Sequence, residues 1–264
     1  MQLALENKHA LVTGSTAGIG FAIAEALVAE GASVHVNGRT AARVEDAVTR
    51  LRQKYPGARV KGIVADLATA AGAAAVVSQL ETVDILVNNM GIFEPKPFAE
   101  IPDADWLRFF ETNVMSGVRL CRHYFGRMLK ANWGRIIFIS SESALNIPGE
   151  MIHYGMTKTC QLALARGLAS QTAGTGVTVN SVLPGPTRSE GVGTFVQDMA
   201  RHKGITEEAM EKDFFQTVRP LSLLRRFATS EEVASLVAYL SSPLAAATNG
   251  AAMRADGGIL QGLV

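Results

Sequence analysis

Short apolar runs rich in β-branched residues alternate with helical patterns along almost the whole sequence. The strand-like runs lie at 9–13, 33–37, 59–65, 83–88, 134–140, 177–183 and, more briefly, 250–254. The helical patterns lie at about 19–30, 40–54, 70–80, 104–131, 152–174 and 229–241. Runs such as Ile136-Ile137-Phe138-Ile139 have no polar face, which is typical of parallel strands covered by helices on both sides. The alternation therefore predicts right-handed βαβ units and an α/β fold with a doubly wound, Rossmann-like parallel sheet.

The 264 residues are expected to form one domain, because the sequence contains no repeat, low-complexity tract or Pro/Ser-rich linker. Only residues 188–228 break the rhythm, with two amphipathic helical patterns at about 192–203 and 206–217. An insertion after the sixth strand lies beside the carboxyl edge of the sheet, where open α/β folds bind ligands. We expect a substrate lid here, although an ordinary surface helical hairpin would have the same pattern.

Composition and charge narrow the function classes. Hydrophobic residues make up 48% and charged residues 19%, as in a compact soluble enzyme with buried strands. A net charge of +1 argues against a nucleic-acid partner, because phosphate binding needs a concentrated basic surface. No apolar run approaches the ~20 residues of a membrane span, and the N-terminus lacks the apolar stretch of a signal peptide. Since Cys121 and Cys160 lack metal-ligand spacing, we expect reduced thiols, no metal site and a cytoplasmic location.

A glycine-rich turn joins the first predicted strand, which ends at Thr13, to the next helix. Glycines allow positive φ and let the backbone approach a ligand, because no β-carbon is in the way. Free N–H groups and the positive end of the helix dipole then face a pyrophosphate. The surrounding βαβ unit is the context that a dinucleotide-binding turn requires. The candidate cofactor-binding residues of the turn are Gly14, Ser15, Thr16, Gly18, Ile19 and Gly20.

The end of the second predicted strand indicates which dinucleotide is bound. An acidic residue there hydrogen-bonds the 2′-hydroxyl of NAD, whereas a basic residue accommodates the extra phosphate of NADP. The sequence reads Asn37-Gly38-Arg39-Thr40, without a carboxylate. Arg39 can offer a bidentate fork to a phosphate, so NADP(H) is favoured and Arg39 and Thr40 are candidate binding residues. An Arg39 stacked on adenine would fit NAD(H), which stays the alternative cofactor.

Tyr154 and Lys158 stand four residues apart in a predicted helix, and Ser141 lies thirteen positions upstream of the tyrosine. Positions i and i+4 share a helix face, so the ammonium should lie beside the phenol. A nearby cation favours the phenolate and should lower the pKa of Tyr154 from its ordinary value near ~10. The spacing predicts a proton-transfer pair, although it also arises by chance on many helices.

Taken in order, these motifs resemble those of the classical short-chain dehydrogenase/reductase family over nearly the whole chain, with 3-oxoacyl-carrier-protein reductases similar in layout. The matching positions are Thr13, Gly14, Gly18, Gly20, Asp66, Asn88, Asn89, Gly91, Asn113, Ser141, Tyr154, Lys158, Asn180, Pro184 and Gly185. The resemblance implies a seven-stranded sheet in the order 3-2-1-4-5-6-7 and a homo-oligomer, usually a tetramer. Met90 departs from the pattern, because the family commonly has alanine there, and a larger side chain can reshape the pocket.

The resemblance also implies cofactor contacts outside the glycine turn. Asp66 and Leu67 are expected to border the adenine, and Asn88 and Gly91 to lie along the cofactor below the fourth strand. The segment after the sixth strand is expected to anchor the nicotinamide amide and the phosphates. Its candidate residues are Pro184, Gly185, Thr187 and Ser189.

By the same resemblance, the catalytic set is Asn113, Ser141, Tyr154 and Lys158. Tyr154 is the general acid in reduction and the general base in oxidation, while Lys158 lowers its pKa and holds the nicotinamide ribose beside it. Ser141 donates a hydrogen bond to the substrate oxygen, with Ser140 and Ser143 as weaker candidates. Asn113 resembles the residue that holds a water linking Lys158 to solvent.

These features predict an NADP(H)-dependent oxidoreductase that interconverts a carbonyl and an alcohol. The substrate stays open among a 3-oxoacyl thioester, a sugar or polyol, and a steroid-type alcohol. Arg219, Arg225 and Arg226 could receive an anionic group, although scattered surface arginines look the same. Glu142 is expected to be an exposed turn carboxylate, with a place at the pocket rim as the alternative. His153 is expected to point away from the Tyr154 face of its helix, where it packs or faces the substrate. A non-catalytic nucleotide sensor, and an epimerase or dehydratase, are the alternatives.

Overall fold

Parallel strands form one main sheet in the computed structural model, which describes residues 2–262 apart from the side chains of Glu190, Thr194 and Phe195. The strands are β1 His9–Val12, β2 Ser33–Gly38, β3 Val60–Val64, β4 Ile85–Asn88, β5 Gly134–Ile139, β6 Val177–Pro184, β7 Thr187–Arg188, β8 Ala228–Thr229 and β9 Ala252–Ala255. The seven-stranded sheet has the order β3-β2-β1-β4-β5-β6-β9. The predicted order is therefore confirmed, because β7 and β8 pair only with each other outside this sheet.

Helices cover both faces of the sheet, as the strand pattern predicts. They are α1 Gly18–Ala29, α2 Ala41–Lys54, α3 Ala70–Gln79, α4 Asp103–Phe110, α5 Ser116–Ala131, α6 Ile152–Ala169, α7 Glu190–Lys203, α8 Glu207–Thr217 and α9 Ser230–Ser241. The core against α1, α2 and α9 is one apolar cluster, and the core against α3, α5 and α6 is another. None of these helices, in the part of the chain described, is long and apolar enough to cross a membrane.

Strand β5 shows why its sequence lacks a polar face. Ile137 and Ile139 pack into the first cluster, whereas Ile136 and Phe138 pack into the second. Side chains alternate across a strand, so a strand buried on both faces must be apolar at every position. The α/β fold class predicted from such runs is confirmed.

Two predicted helices differ from those in the structure. The helix expected at 104–131 is interrupted by one π-helical turn, Glu111–Met115, between α4 and α5. The helix expected at 152–174 ends at Ala169, because the Thr172 hydroxyl donates to the Ala169 carbonyl at 2.8 Å and Gly174 adopts a φ of +75°. Side-chain bonding of this kind competes with the helical ladder.

The segment that interrupts the rhythm forms two helices, α7 and α8, which the short strands β7 and β8 bracket. Ser189 caps α7 through Val192 N–H at 3.4 Å, and Gly204 ends it in the left-handed region at φ +64°. The two helices share a small apolar cluster of their own, formed by Val196, Ala200, Met210, Phe215 and Phe227. This helical pair lies over the carboxyl edge of the sheet, where its residues enter the cavity described below.

Candidate active site

The turn between β1 and α1 has the geometry expected of an anion-binding turn. Gly14 and Gly18 have φ values of +57° and +56°, in the left-handed region that favours glycine. A β-carbon on Gly18 would lie 3.1 Å from Cβ of Ser189, so a side chain there would crowd the opposite wall. The Ser15 hydroxyl donates to the carbonyl of Val12 at 2.7 Å and accepts from the N–H of Asn37 at 3.0 Å. Ser15 therefore fixes the shape of the turn from inside the protein.

The end of β2 is crowded at Gly38. A β-carbon there would lie 2.5 Å from Cγ2 of Thr16 and 3.0 Å from Cγ2 of Val44, so a side chain at this position requires those two side chains to move. Asn37 is buried, and its Nδ2 donates to two carbonyls at the end of β3, both at 3.2 Å. Arg39 and Thr40 are exposed directly beyond the strand, and α2 begins after Thr40. Thus the exposed side chain nearest the end of β2 is basic.

Asp66 and Leu67 lie at the same edge, after β3, but only one of the two side chains is exposed. Asp66 is exposed, and its Oδ1 accepts from the N–H of Ala68 at 3.1 Å. Leu67 is fully buried in the apolar core beneath α3 and α5. Asp66 is therefore the member of the pair whose side chain faces solvent at this edge.

Asn88 and Asn89 point to different places. Asn88 is buried, and its Nδ2 contacts Sγ of Cys121 in α5 at 3.6 Å. Asn89 instead lines the cavity, and its Nδ2 donates to the carbonyls of Thr13 and Gly14, both at 3.0 Å. The structure thus joins Asn89, which was not among the candidate site residues, to the glycine turn. Its adjacency to Asn88 at the end of a predicted strand was the available signal.

A cavity of about 840 Å³ opens at the carboxyl edge, between the sheet and the helical pair α7–α8. The predicted site residues in its wall are Ile19, Gly91, Ser141, Tyr154, Lys158, Pro184, Gly185, Thr187 and Ser189. Apolar side chains from α7, α8 and their flanks form another part of the wall, namely Val192, Met199, Phe214, Val218 and Phe227. The cavity therefore brings most of the predicted catalytic set to one place, next to the glycine turn.

Ser141 is the serine whose hydroxyl lies in a position to act in this cavity. It precedes a short 3-10 turn, Glu142–Ala144, and its Oγ accepts from the N–H of Ser143 at 3.1 Å. The hydroxyl of Ser140 is instead committed to the carbonyl of Lys158 at 2.9 Å. Because Ser141 accepts from the backbone, its own proton is left to donate towards Tyr154 and the cavity.

Tyr154 and Lys158 share one face of α6, as their spacing predicts. The Lys158 Nζ lies 5.7 Å from the centre of the Tyr154 ring. It donates to the carbonyl of Ile139 at 2.9 Å and to Oε1 of Gln161 at 3.3 Å. A β-carbon on Gly91 would lie 3.2 Å from this Nζ, so the glycine leaves the amine accessible on that side.

The expected effect of Lys158 on Tyr154 is wrong for this form of the protein. Burial raises the pKa of Tyr154 to about 12, a shift that the Ser141 side chain partly opposes. Burial also lowers the pKa of Lys158 from 10.5 to about 7. The spacing alone places a cation beside the phenol. In the structure Lys158 is buried and Tyr154 is half-buried, and their removal from water disfavours both charged forms.

Asn113 lies in the π-helical turn between α4 and α5. Its Oδ1 accepts from the N–H of Ile92 at 2.8 Å, and its Nδ2 donates to Oγ1 of Thr157 at 2.9 Å. The Thr157 hydroxyl in turn donates to the carbonyl of Tyr154 at 2.7 Å. The Asn113 side chain therefore ties the loop after β4 to the helix that holds the tyrosine. π-turns of this kind are frequent at functional sites.

Gln161 is a site residue that the sequence reasoning missed. It is buried one turn after Lys158 on α6, and its Nε2 donates to the backbone carbonyl of Asn113 at 2.6 Å. Since its Oε1 accepts from Lys158, the amide connects the lysine to Asn113 directly. A polar residue three positions after Lys158, within reach of the same helix face, was the available signal.

Glu142 is not the exposed carboxylate that the sequence suggested. Its side chain is 4% exposed and lies in the cavity wall, with Oε1 3.3 Å from Nε of Arg219. Arg219 also pairs with Glu150 at 3.4 Å, and of the three candidate arginines it is the one in the cavity wall. Arg225 donates to a backbone carbonyl, and Arg226 pairs with Glu232. The latter two arginines are absent from the cavity wall.

The side chains of His153 and Met90, the two remaining predicted positions, pack against other residues of the protein. His153 is buried and packs against the rings of Phe109 and Trp106, with centroids 4.0 and 5.8 Å away. The Met90 thioether lies beside Gly14, where a β-carbon would be 3.2 Å from its sulfur. In the described part of the chain, no cluster of three or more His, Cys, Asp or Glu side chains is placed to hold a metal ion.

The residues at the carboxyl edge fit a dinucleotide. The glycine turn would be filled by β-carbons at Gly14 or Gly18, and the strand end by one at Gly38. Residues 8–200 match the short chain dehydrogenase family. The chain therefore belongs to this family, and it is an NAD(P)-dependent oxidoreductase acting on CH–OH or carbonyl groups.

Similar proteins extend the match over the whole chain. It is 47% identical over 261 residues to the uncharacterized oxidoreductase YvaG of Bacillus subtilis, with 99% of each chain covered. It is 30% identical over 264 residues to the 3-oxoacyl-[acyl-carrier-protein] reductase FabG of Aquifex aeolicus, covering 98% of this chain and 100% of the other. L-sorbose reductase from Gluconobacter frateurii, solved with NADPH and L-sorbose, has a TM-score of 0.93 at 30% identity, with 100% of both chains covered.

Proposed function

We propose that this protein is an NADP(H)-dependent reductase that converts a ketone to an alcohol, or runs the reverse reaction. The observation that carries the proposal is the convergence of Ser141, Tyr154 and Lys158 in one cavity that also reaches the glycine turn through Ile19. L-sorbose reductase, which shares the fold over its full length and was solved with NADPH and a ketose, supports it.

The residues that would hold the dinucleotide lie along the carboxyl edge. The glycine turn suits the pyrophosphate, Arg39 the 2′-phosphate and Lys158 the nicotinamide ribose, while Thr187 and Ser189 suit the carboxamide end. When bound, the nicotinamide supplies or accepts the hydride. The protein's own part is to orient the substrate and to handle the proton.

Tyr154 is the proposed proton donor. Because burial raises its pKa to about 12, the phenol is protonated at neutral pH, which is the form needed to protonate a developing alkoxide. Ser141 donates a second hydrogen bond to the same oxygen as negative charge develops there. Both donors are held in a buried site, so neither must reorganise as the reaction proceeds.

We propose that Lys158 relays the proton that returns Tyr154 to its protonated form after the reduction. A pKa of about 7 lets this amine take up and release a proton near neutrality. Gln161 joins it to the Asn113 carbonyl, and Asn113 joins the loop after β4. These contacts give the lysine one fixed position beside Tyr154.

The preference for NADP(H) over NAD(H) rests on the end of β2. The strand ends at a crowded glycine, Gly38, without a carboxylate, and Arg39 is exposed next to it. The test is kcat/KM for NADPH and for NADH in a screen of ketones, β-ketoacyl thioesters and keto sugars. If kcat/KM for NADPH divided by that for NADH is above one, the preference for NADP(H) is supported; a value below one contradicts it. Tight NADPH binding with no turnover in the screen would favour the non-catalytic sensor.

The helical pair α7–α8 is proposed to act as the substrate lid, and the whole chain as one domain. A homo-oligomer is also proposed, because Phe98 and Leu107 expose large apolar side chains around α4. Light scattering on the purified protein tests the assembly.

Cys121 and Cys160 are both free thiols, which supports a cytoplasmic location.

A further inference from the structure

The Glu142 carboxylate has an unusual position in the cavity wall. It directly follows Ser141, and its Oε1 is held by Arg219. Its Oε2 has no well-formed hydrogen bond among the residues that the structure describes. Burial raises the pKa of this carboxyl, and contacts with the Ser143 side chain and with Arg219 oppose that rise. A buried carboxylate oxygen without a hydrogen-bond donor destabilises the folded protein, so a donor on a molecule bound in the cavity would stabilise the complex.

Arg219 cannot serve as a free anion-binding group. Its side chain is 12% exposed and lies between Glu142 and Glu150. Nη1 also donates to the carbonyl of Val218 at 3.0 Å. Two carboxylates against one guanidinium leave the cluster with an excess negative charge, which repels a substrate carboxylate.

The cluster is close to the reacting groups. The charge of Glu142 acts on Tyr154, where it raises the pKa of the phenol, and Arg219 acts in the opposite direction. Glu142 is also the chain neighbour of Ser141, which would hold the substrate oxygen. Glu142 lines the same cavity as Ser141 and Tyr154, so a substrate held by those two residues occupies the cavity that Glu142 borders.

We propose that Glu142, held in place by Arg219, is a specificity-determining residue that accepts a hydrogen bond from a hydroxyl group beside the substrate's carbonyl. The substrate class is then an uncharged α-hydroxyketone, and 2-oxo acids are disfavoured. The apolar side chains of the helical pair receive the rest of the molecule. This assignment rests on the ketone reduction proposed above.

Three ketones with the same butyl tail test the assignment. They are 1-hydroxyhexan-2-one, heptan-3-one and 2-oxohexanoate, which differ only in the group beside the carbonyl. For the wild-type enzyme we expect kcat/KM with NADPH to be about tenfold higher for the hydroxyketone than for heptan-3-one, as for a charge-assisted hydrogen bond. The value for 2-oxohexanoate should be the lowest of the three.

Glu142→Gln keeps the size of the side chain and removes its charge. We expect the preference for the hydroxyketone over heptan-3-one to fall about tenfold, and kcat/KM for 2-oxohexanoate to rise. Glu150→Gln is the matched control, because it removes a carboxylate from the same arginine at a side chain that is 47% exposed. Its preference should stay within about twofold of wild type.

Nucleotide binding and thermal melting establish that each variant is folded. Should Glu142→Gln not fold, Arg219→Met releases Glu142 from the other side, and it should also lower the hydroxyketone preference. Turnover without that preference, or a preference that Glu142→Gln leaves unchanged, overturns the specificity assignment alone. Absence of turnover with all three ketones overturns the proposed function with it.

Discussion

Replacing Lys158 with methionine should change how the stability of the nucleotide-free protein depends on pH. The Lys158 side chain is buried, and its pKa falls from 10.5 to about 7 in the folded protein. Between these values the unfolded chain binds a proton that the folded chain does not. The free energy of unfolding therefore rises with pH in this window, by at most ~1.4 kcal/mol per pH unit from this one group.

The magnitude follows from the two pKa values. From about pH 7.5 to about pH 9.5 the lysine contributes about 2.5 kcal/mol of added stability, because the folded form is already mostly neutral at the lower pH. Tyr154 acts in the opposite direction only above its ordinary pKa near 10, since its folded pKa is raised to about 12. Lys158→Met removes the lysine's contribution and leaves the other titrating groups in place.

Urea unfolding followed by circular dichroism, at several pH values in that window, measures the effect. The difference in unfolding free energy between wild type and Lys158→Met should grow in favour of wild type by about 2.5 kcal/mol. A difference that stays flat would show that the folded protein keeps the ammonium, held by the carbonyl of Ile139 and by Gln161. A difference that shrinks with rising pH would show that these bonds raise the pKa instead.

Three further predictions concern the reaction. Tyr154→Phe should lower kcat by at least ~10²-fold, the usual contribution of a general acid, and leave the NADPH dissociation constant nearly unchanged; substantial turnover would remove Tyr154 from its role. Arg39→Ala should raise KM for NADPH by about tenfold or more through loss of a charge-assisted pair, with little effect on NADH; equal effects on both would place Arg39 elsewhere. Gln161→Leu should lower kcat by several-fold and shift the pH profile of kcat, because the amide holds Lys158 and Asn113 together; a change in KM alone would make Gln161 a packing residue.

Patterns within short stretches of sequence sufficed for the α/β fold class, the glycine turn and the spacing of Tyr154 and Lys158, whereas the strand order and the other site residues came from the family resemblance. Continuous apolar runs such as 136–139 indicate strands buried on both faces, since alternation leaves no polar side. The left-handed geometry of Gly14 and Gly18 was foreseeable because few other residues adopt it. The shared helix face of Tyr154 and Lys158 follows from the helical repeat alone.

Properties that depend on burial or on distant contacts were not visible in the sequence. The ion pair of Glu142 with Arg219 joins positions 77 residues apart, and it turned an expected surface carboxylate into part of the cavity wall. The hydrogen bond from Gln161 to the Asn113 carbonyl depends on the π-helical turn between α4 and α5, and no local sequence pattern predicts that turn. Asn88 and Asn89 are adjacent and chemically identical, and only packing separated their surroundings.

The sequence by itself determined the order of strands and helices, the glycine turn and the spacing of the catalytic groups, because each depends on backbone periodicity or on a residue's own conformational preference. The tertiary structure alone decided the charge states of Tyr154 and Lys158 and the partners of Glu142. Those depend on how far each group is removed from water and on which charges lie beside it, and both are set by chain segments far away in sequence.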